Sequence, residues 1–278
     1  MLIDLHAHST ASDGVDTPAE LVAAAVAAGL DVVALTDHDS TAGWEEALAA
    51  AEHARIQLVP GLEISCRMRG ISVHLLSYRH DPADAALHAE LTATRHDRVD
   101  RARRMVHKIS VDYPLTWEDV LEHVPAGATV GRPHIADAMI AQGLVTDRDE
   151  AFETTLHRNS PYYEPHYAPS AVDAVRLVVA AGGVPVMAHP RAGRRGRVVT
   201  DEDIAELAAA GLAGLEADHP DHDPQERAAV RSLAADLGLL TTGSSDYHGA
   251  VRSHRLGSCT TQPQVLEAIL AAGHGLDR

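Results

Sequence analysis

The chain has 278 residues, of which 45% are hydrophobic, so it can bury a core and wholesale disorder is excluded. Its 40 acidic and 23 basic residues leave a formal charge of −17, which disfavours stable binding to duplex nucleic acid. Two cysteines make no disulfide framework, no apolar run reaches the roughly 18 residues of a membrane span, and the first residues lack signal-peptide features. We therefore expect a cytoplasmic protein without membrane contact.

Apolar runs of strand length alternate with Ala- and Leu-rich stretches of helical period. The predicted strands are Leu2–His6, Asp31–Thr36, Gln57–Ser65, Ile71–Tyr78, Gly183–Ala188, Ala213–Ala217 and Leu239–Gly243. Helices are predicted from Thr17 to Gly29, from Thr41 onward, and near 201–210, 223–237 and 262–272. The alternation predicts an α/β fold of βα units, with a hairpin between the third and fourth strands.

The pattern changes between about Pro82 and Pro169, where helical periodicity continues without a strand signal. Helices are predicted there over 83–109, 117–123, 133–142 and 147–157. We therefore expect a barrel domain formed by residues 1–81 and 170–278. Residues 82–169 are predicted to be a helical insertion that serves as a lid or substrate-binding subdomain.

Histidines and carboxylates stand at the ends of the predicted strands. His6 and His8 end the first strand and, because strand side chains alternate, point the same way as Asp4. An α/β barrel carries its site at the carboxyl ends of its strands, so these polar ends should converge. The candidate metal ligands are His6, His8, Asp13, His38, Glu63, His74, His189, Asp246 and His248.

The chemistry of these nine ligands indicates the ions they would hold. Imidazole and carboxylate without thiolate suit Mn²⁺ or Fe²⁺, with Zn²⁺ as a further option. Nine ligands are too many for one ion, which predicts two or three divalent ions with Glu63 as a shared ligand. Asp4 and Asp37 are expected to accept hydrogen bonds from ligand imidazoles and so to orient them.

Five ordered motifs carry a resemblance to a known family. They are H-x-H-S-x-x-S-D-G at 6–14, T-D-H-D at 36–39, G-x-E-I-S at 61–65, A-H-P at 188–190 and S-D-x-H-G at 245–249. Together they resemble the PHP (polymerase and histidinol phosphatase) phosphoesterases. The G-R-P-H-I-A segment at 131–136 resembles the stand-alone bacterial branch of that family, which includes phosphatases of nucleoside 3′,5′-bisphosphates or AMP and 5′-3′ exoribonucleases.

The resemblance implies a distorted (β/α)7 TIM-like barrel with a trinuclear metal site. By motif, one ion would take His6, His8, Glu63 and Asp246, a second Asp13, His38 and His248, and a third Glu63, His74 and His189. The implied reaction is hydrolysis of a phosphate monoester of a small nucleotide, AMP or a nucleoside 3′,5′-bisphosphate, by a metal-activated hydroxide. The expected partner is a small phosphorylated nucleotide or the 5′ end of a short RNA. A cluster of divalent ions would make the site locally positive within the acidic protein.

Further residues are expected to touch the substrate. The candidates for substrate binding are Arg132, His134, Ser160, Arg191, Arg194, His219 and His222. Those expected to take part in catalysis are Asp13, Arg132, His134 and His222. The Arg132 guanidinium can bind two phosphate oxygens at once, and His222 is a hypothetical proton donor to the leaving group. Ser160 stands where relatives carry a basic residue, which argues against a second phosphate contact there.

Four alternatives stay open at the level of sequence. A 5′-3′ exonuclease on short RNA and a histidinol phosphatase share the implied fold and differ in the substrate pocket. An amidohydrolase also uses H-x-H on its first strand, but many bridge two ions with a carbamylated strand-end lysine, whereas the single lysine here, Lys108, lies in the insertion. A module that binds metal without turnover is the fourth.

Overall fold

The computed structural model describes residues 1–125, 128, 130–165, 167–249 and 254–277. Seven strands form one sheet in chain order: β1 Ile3–Asp4, β2 Val32–Leu35, β3 Gln57–Met68, β4 Ile71–Tyr78, β5 Val184–Met187, β6 Gly214–Asp218 and β7 Leu240–Gly243. Adjacent strands are parallel, except that β4 is antiparallel to β3 and β5. A parallel bridge between Ala7 and Tyr247 joins the chain after β1 to the chain after β7, so the barrel is nearly closed. The predicted distorted (β/α)7 barrel is confirmed.

The β3–β4 hairpin explains why a residue in the middle of β4 can reach the same end of the barrel as the other strand ends. Its two-residue turn, Arg69 and Gly70, has positive φ at both positions, the geometry that matches the twist of paired strands. Because β4 runs backwards, its first half lies beside the last part of β3, with His74 opposite Ser65.

Ten α-helices connect or flank the strands among the described residues. They are α1 Pro18–Ala27, α2 Trp44–Ala54, α3 Ala85–Ile109, α4 Trp117–Leu121, α5 Arg132–Ala141, α6 Arg148–Thr154, α7 Ala171–Ala180, α8 Asp201–Ala210, α9 Pro224–Leu237 and α10 Pro263–Ala272. Helix α7 was not predicted from the sequence, although Ser170 caps its first turn by accepting from the Asp173 amide. None of the described helices has the length and apolar character that a membrane span requires.

Two compact units divide the chain: Met1–Leu91 with Ala168–Arg278, and Thr92–Tyr167. Apolar side chains such as Leu5, Val59 and Leu76 fill the first unit beneath its polar strand ends. The second unit has its own core, in which Met105 and Met139 are fully buried, and its described residues form helices without strands. The role of residues 82–169 as a lid or substrate subdomain stays a prediction.

Candidate metal centre

Glu63, on β3, lies at the centre of the polar strand ends and is 1% exposed. Its Oε2 is 3.2 Å from three imidazole nitrogens: Nε2 of His6, Nε2 of His8 and Nδ1 of His38. Its Oε1 is 2.7 Å from Nδ1 of His74 and 3.2 Å from Nε2 of His189. One carboxylate therefore faces five of the six predicted histidine ligands, with different rings at each oxygen.

Asp246 completes a four-residue group around the same oxygen. Its Oδ1 is 3.3 Å from His6 Nε2 and 3.2 Å from His8 Nε2. In the part of the chain that the structure describes, His6 Nε2 and both ring nitrogens of His8 are buried and make no hydrogen bond. Atoms about 2.0–2.2 Å from one ion lie about 2.8–3.6 Å apart in octahedral or tetrahedral coordination. The separations and the buried, unbonded nitrogens therefore fit ligands of a metal ion.

Asp13 gathers a second group from the loop after β1. Its Oδ1 is 3.3 Å from His248 Nε2, 3.9 Å from His8 Nδ1 and 4.0 Å from His38 Nε2. The next residue, Gly14, is required sterically, because a Cβ there would come within 2.6 Å of the His8 carbonyl oxygen. This close packing holds the Asp13 loop against the end of β1.

The hydrogen bonds of the rings separate metal ligands from other histidines. His6 Nδ1 donates to Glu216 Oε1 at 3.0 Å, and His248 Nδ1 donates to the main-chain oxygen of Asp246 at 2.9 Å. In the neutral form of both rings the proton is therefore on Nδ1, which directs the Nε2 lone pair at the cluster. Such an arrangement is what a metal ligand needs.

His219 and His222 differ from these ligand rings, each in its own way. His219 Nδ1 accepts from the Asp221 amide at 2.9 Å, so its neutral ring carries the proton on Nε2, 3.4 Å from Asp246 Oδ2. It can donate a hydrogen bond into the site but offers no lone pair to an ion. His222 Nδ1 donates to the Ala217 carbonyl, and its Nε2 accepts from the Arg191 amide. Both nitrogens of His222 are therefore bonded to backbone, and its role as proton donor to a leaving group stays a prediction.

Burial and charge shift the pKa values of the cluster in opposite directions. Burial penalises a charged imidazole, yet nearby Glu63 and Asp246 raise the pKa of His6 well above its usual range and that of His8 to about 9. Burial also penalises a carboxylate, but the surrounding imidazoles hold the pKa of Glu63 and Asp13 well below the usual range. The buried carboxylates thus draw positive charge into the site, which a divalent cation would supply.

Three of the six described non-glycine residues with positive φ lie at the same strand ends. His189, Asp246 and Asp39 have φ values of 29°, 52° and 52°, in the left-handed region that side-chain-bearing residues avoid. Each such residue costs about 1–3 kcal/mol and persists where surrounding contacts enforce it. Two of the three are predicted ligands.

Asp4 and Asp37 do not orient the ligand rings as expected. Asp4 accepts from the backbone amides of His6, Ser245 and Gly257, and Asp37 accepts from Ser9 and Ser12. They brace the loops, whereas Glu216, from outside the cluster, bonds to a ligand ring. Its signal in the sequence was its place at the end of the sixth strand.

The predicted substrate residues fall in both units. In the first, Arg191 donates to Val199 O and pairs with Asp201, while Arg194 lines a pocket with Asp221 and Glu226.

In the second unit, the predicted substrate residues are Arg132, His134 and Ser160. Arg132 donates to Leu156 O at 3.1 Å, with its Cζ 5.1 Å from the Phe152 ring centre. His134 Nδ1 accepts from the Gly131 amide, and Ser160 Oγ accepts from the Tyr162 amide. Their contact with substrate stays a prediction.

Comparison with known proteins identifies the family. A family model described as "PHP domain" matches residues 4–162, more than half of the chain. The chain belongs to the PHP family. It is 35% identical to a 3′,5′-nucleoside bisphosphate phosphatase of Chromobacterium violaceum, over 88% of this chain and 87% of that protein. The predicted PHP phosphoesterase and its enzyme class, a metal-dependent hydrolase of phosphoric esters, are confirmed.

Further PHP relatives are similar over nearly their whole length. The chain is 33% identical to a phosphoribosyl 1,2-cyclic phosphate 1,2-diphosphodiesterase of Eggerthella lenta, covering 90% of this chain and 95% of that protein. It is 32% identical to a 5′-3′ exoribonuclease of Haemophilus influenzae, covering 88% and 89%. A solved structure from Bifidobacterium adolescentis, inferred to be a metal-dependent phosphoesterase, superposes with a TM-score of 0.95 at 40% identity, covering 98% of this chain and 96% of that one.

Proposed function

We propose that this PHP protein hydrolyses a phosphate monoester of a small nucleotide, which is AMP or a nucleoside 3′,5′-bisphosphate. The reaction would use two or three bound divalent ions. Mn²⁺ or Fe²⁺ is preferred in this proposal, with Zn²⁺ as the further option. The proposed ligands are His6, His8, Asp13, His38, Glu63, His74, His189, Asp246 and His248. The proposal includes a cytoplasmic location and a small phosphorylated nucleotide or short RNA 5′ end as the partner. The observation that carries it is the Glu63 carboxylate, whose two oxygens face different imidazoles.

The chain supplies the framework for this chemistry. When bound, divalent ions lower the pKa of water from about 15.7 towards 7 and neutralise charge on phosphoryl oxygens. Glu63 and Asp246 contribute buried negative charge, and the Nδ1 hydrogen bonds of His6 and His248 fix their Nε2 lone pairs inward. The His219 Nε2–H can donate to a phosphoryl or leaving oxygen. Arg132 and His134 are proposed to bind phosphate from the second unit.

The relatives of this chain differ in the substrates that their names give. This chain is 35% identical to the bisphosphate phosphatase, 33% to the cyclic phosphate diesterase and 32% to the exoribonuclease. Sequence identity therefore does not select one of these three substrates. The family resemblance implies a basic residue at position 160, and the serine found there favours AMP over a doubly phosphorylated nucleotide at that contact.

A phosphate-release screen tests the proposal. The purified protein with added Mn²⁺ is offered AMP, nucleoside 3′,5′-bisphosphates, histidinol phosphate, phosphoribosyl 1,2-cyclic phosphate and 5′-phosphorylated oligoribonucleotides. We expect the highest kcat/KM on a mononucleotide or bisphosphate, and loss of activity with chelator. A preference for histidinol phosphate, or for oligoribonucleotides over every mononucleotide, would overturn the substrate assignment. Ammonia release from amide substrates without phosphate release would favour an amidohydrolase, and bound metal without turnover a metal-binding module.

A further inference from the structure

Glu216, on β6, is fully buried beside the metal centre without belonging to its predicted ligand set. Its Oε1 accepts from His6 Nδ1 at 3.0 Å and from the Ser244 hydroxyl, and its Oε2 accepts from the His189 backbone amide at 2.7 Å. The side chain therefore bonds to groups from the ends of β1, β5 and β7 while its own backbone belongs to β6.

The two bonded histidines belong to different parts of the cluster. His6 Nε2 faces Asp246 and Glu63 Oε2, whereas His189 Nε2 faces the other oxygen, Glu63 Oε1. The bond to His6 holds the ring with its Nε2 lone pair inward. The bond to His189 holds a backbone at φ 29°, which sets the direction of that ring.

We infer that Glu216 is a positioning residue that orients ligands of two ions at once, an inference that rests on the proposed metal-dependent function. A carboxylate that accepts from a ligand imidazole fixes its tautomer and its orientation, and loss of such a partner typically weakens metal binding about 10–100-fold. Its negative charge also lowers the net positive charge that the ions bring to the site. Glu216 does not touch the reacting atoms.

Metal binding of three variants tests this role directly. Glu216→Gln keeps the size of the side chain but removes the charge and one acceptor oxygen, and Glu216→Asp keeps the charge but is too short to span His6 and His189. Asp203→Asn is the matched control, since Asp203 is also buried in the first unit but caps α8. Mn²⁺ affinity and stoichiometry are measured by equilibrium dialysis with elemental analysis, and folding by circular dichroism.

We expect Mn²⁺ affinity to fall about 10–100-fold in both Glu216 variants and to be unchanged in Asp203→Asn. Wild-type affinity in Glu216→Gln would overturn the inference. Wild-type affinity in Glu216→Asp, with loss in Glu216→Gln, would assign the effect to charge alone and would also overturn it. Failure of the wild-type protein to bind metal would instead contradict the proposed function, so the two failures are distinguishable.

A measurement on the wild-type protein covers the case in which the variants do not fold. Long-range ¹H–¹⁵N spectra of the Zn²⁺-loaded protein report which ring nitrogen carries the proton, with His6 assigned by comparison with His6→Gln. We expect the His6 proton on Nδ1, where Glu216 accepts it. A proton on Nε2, or rapid exchange between both nitrogens, would show that Glu216 does not hold the ring.

Discussion

The two compact units treat buried charge in different ways. At the strand ends of the first unit, Glu63 and Asp246 are buried among imidazole rings. Several ring nitrogens that face these carboxylates make no hydrogen bond in the described structure. In the second unit, the Arg132 guanidinium bonds to a main-chain oxygen and packs on aromatic rings. The Arg132 guanidinium is thus bonded within its own unit, whereas the strand ends of the first unit leave charge and lone pairs for a ligand. We therefore expect the metal-dependent chemistry at the strand ends of the first unit.

Loss of the shared carboxylate should have the largest effect. Glu63→Gln removes the negative charge that faces both halves of the cluster, so we expect phosphate release to fall by more than about 10⁴-fold, beyond what a single side-chain acid or base contributes. Initial rates at saturating Mn²⁺ measure the effect, with circular dichroism as the control for folding. Retention of a tenth of the activity would mean that Glu63 is not shared by ions.

The Asp13 loop allows a matched pair of substitutions. Asp13→Asn weakens the group formed with His248 and His38, and we expect kcat to fall about 10²–10³-fold. Asp16→Asn changes a neighbouring carboxylate that accepts from the Tyr247 hydroxyl, so activity should stay within about threefold. Equal activity of the two variants would remove Asp13 from the site.

A substitution in the second unit tests whether that unit serves the reaction. Arg132→Lys removes the planar guanidinium, and loss of a charge-assisted contact of about 1.5–3 kcal/mol predicts a decrease in kcat/KM of about 10–100-fold. Arg103→Lys is the control, because Arg103 also lies over an aromatic ring, Trp117, at 5.2 Å. If both variants change only the free energy of unfolding, Arg132 does not bind substrate.

His80 provides a contrast within the first unit, since it is buried away from carboxylate ligands. Burial lowers its pKa to about 4, below the value of 6.5 in the unfolded chain, so the folded protein binds fewer protons between these pH values. Stability from this group is complete above about pH 6.5 and is lost as pH falls towards 4. We expect His80 to lower the free energy of unfolding by about 2 kcal/mol between pH 7 and pH 5. Urea unfolding of wild-type and His80→Gln protein measures it, and equal pH dependence of both would contradict the shift.

Much of the first unit could be predicted because its signals are local. Strand alternation places His6 and His8 on one side, and strand ends in an α/β barrel converge. The hairpin that brings His74 to them also has a local signal, the turn residues Arg69 and Gly70. Helix α7 was missed. It begins directly after the predicted insertion, whose own predicted elements were all helices, so no change of pattern marked its start.

The role of Glu216 and the tautomer of His219 could not be predicted, because both depend on contacts that sequence spacing does not encode. Glu216 bonds to a ring 210 positions away, and the ring of His219 is set by a backbone amide of the next turn. In the second unit, the sequence does not predict which side chains lie close together, since helices do not direct their side chains to one end of a sheet. Its substrate contacts therefore stay predictions.

The metal content of the active protein tests the central claim most directly. The chain is freed of metal, reloaded with Mn²⁺ and desalted, and ions per chain are counted by elemental analysis alongside phosphate release from AMP and a nucleoside 3′,5′-bisphosphate. A centre built on a shared Glu63 predicts two or three ions per chain and activity that rises with occupancy. Full turnover by a protein that carries one ion or none would contradict it.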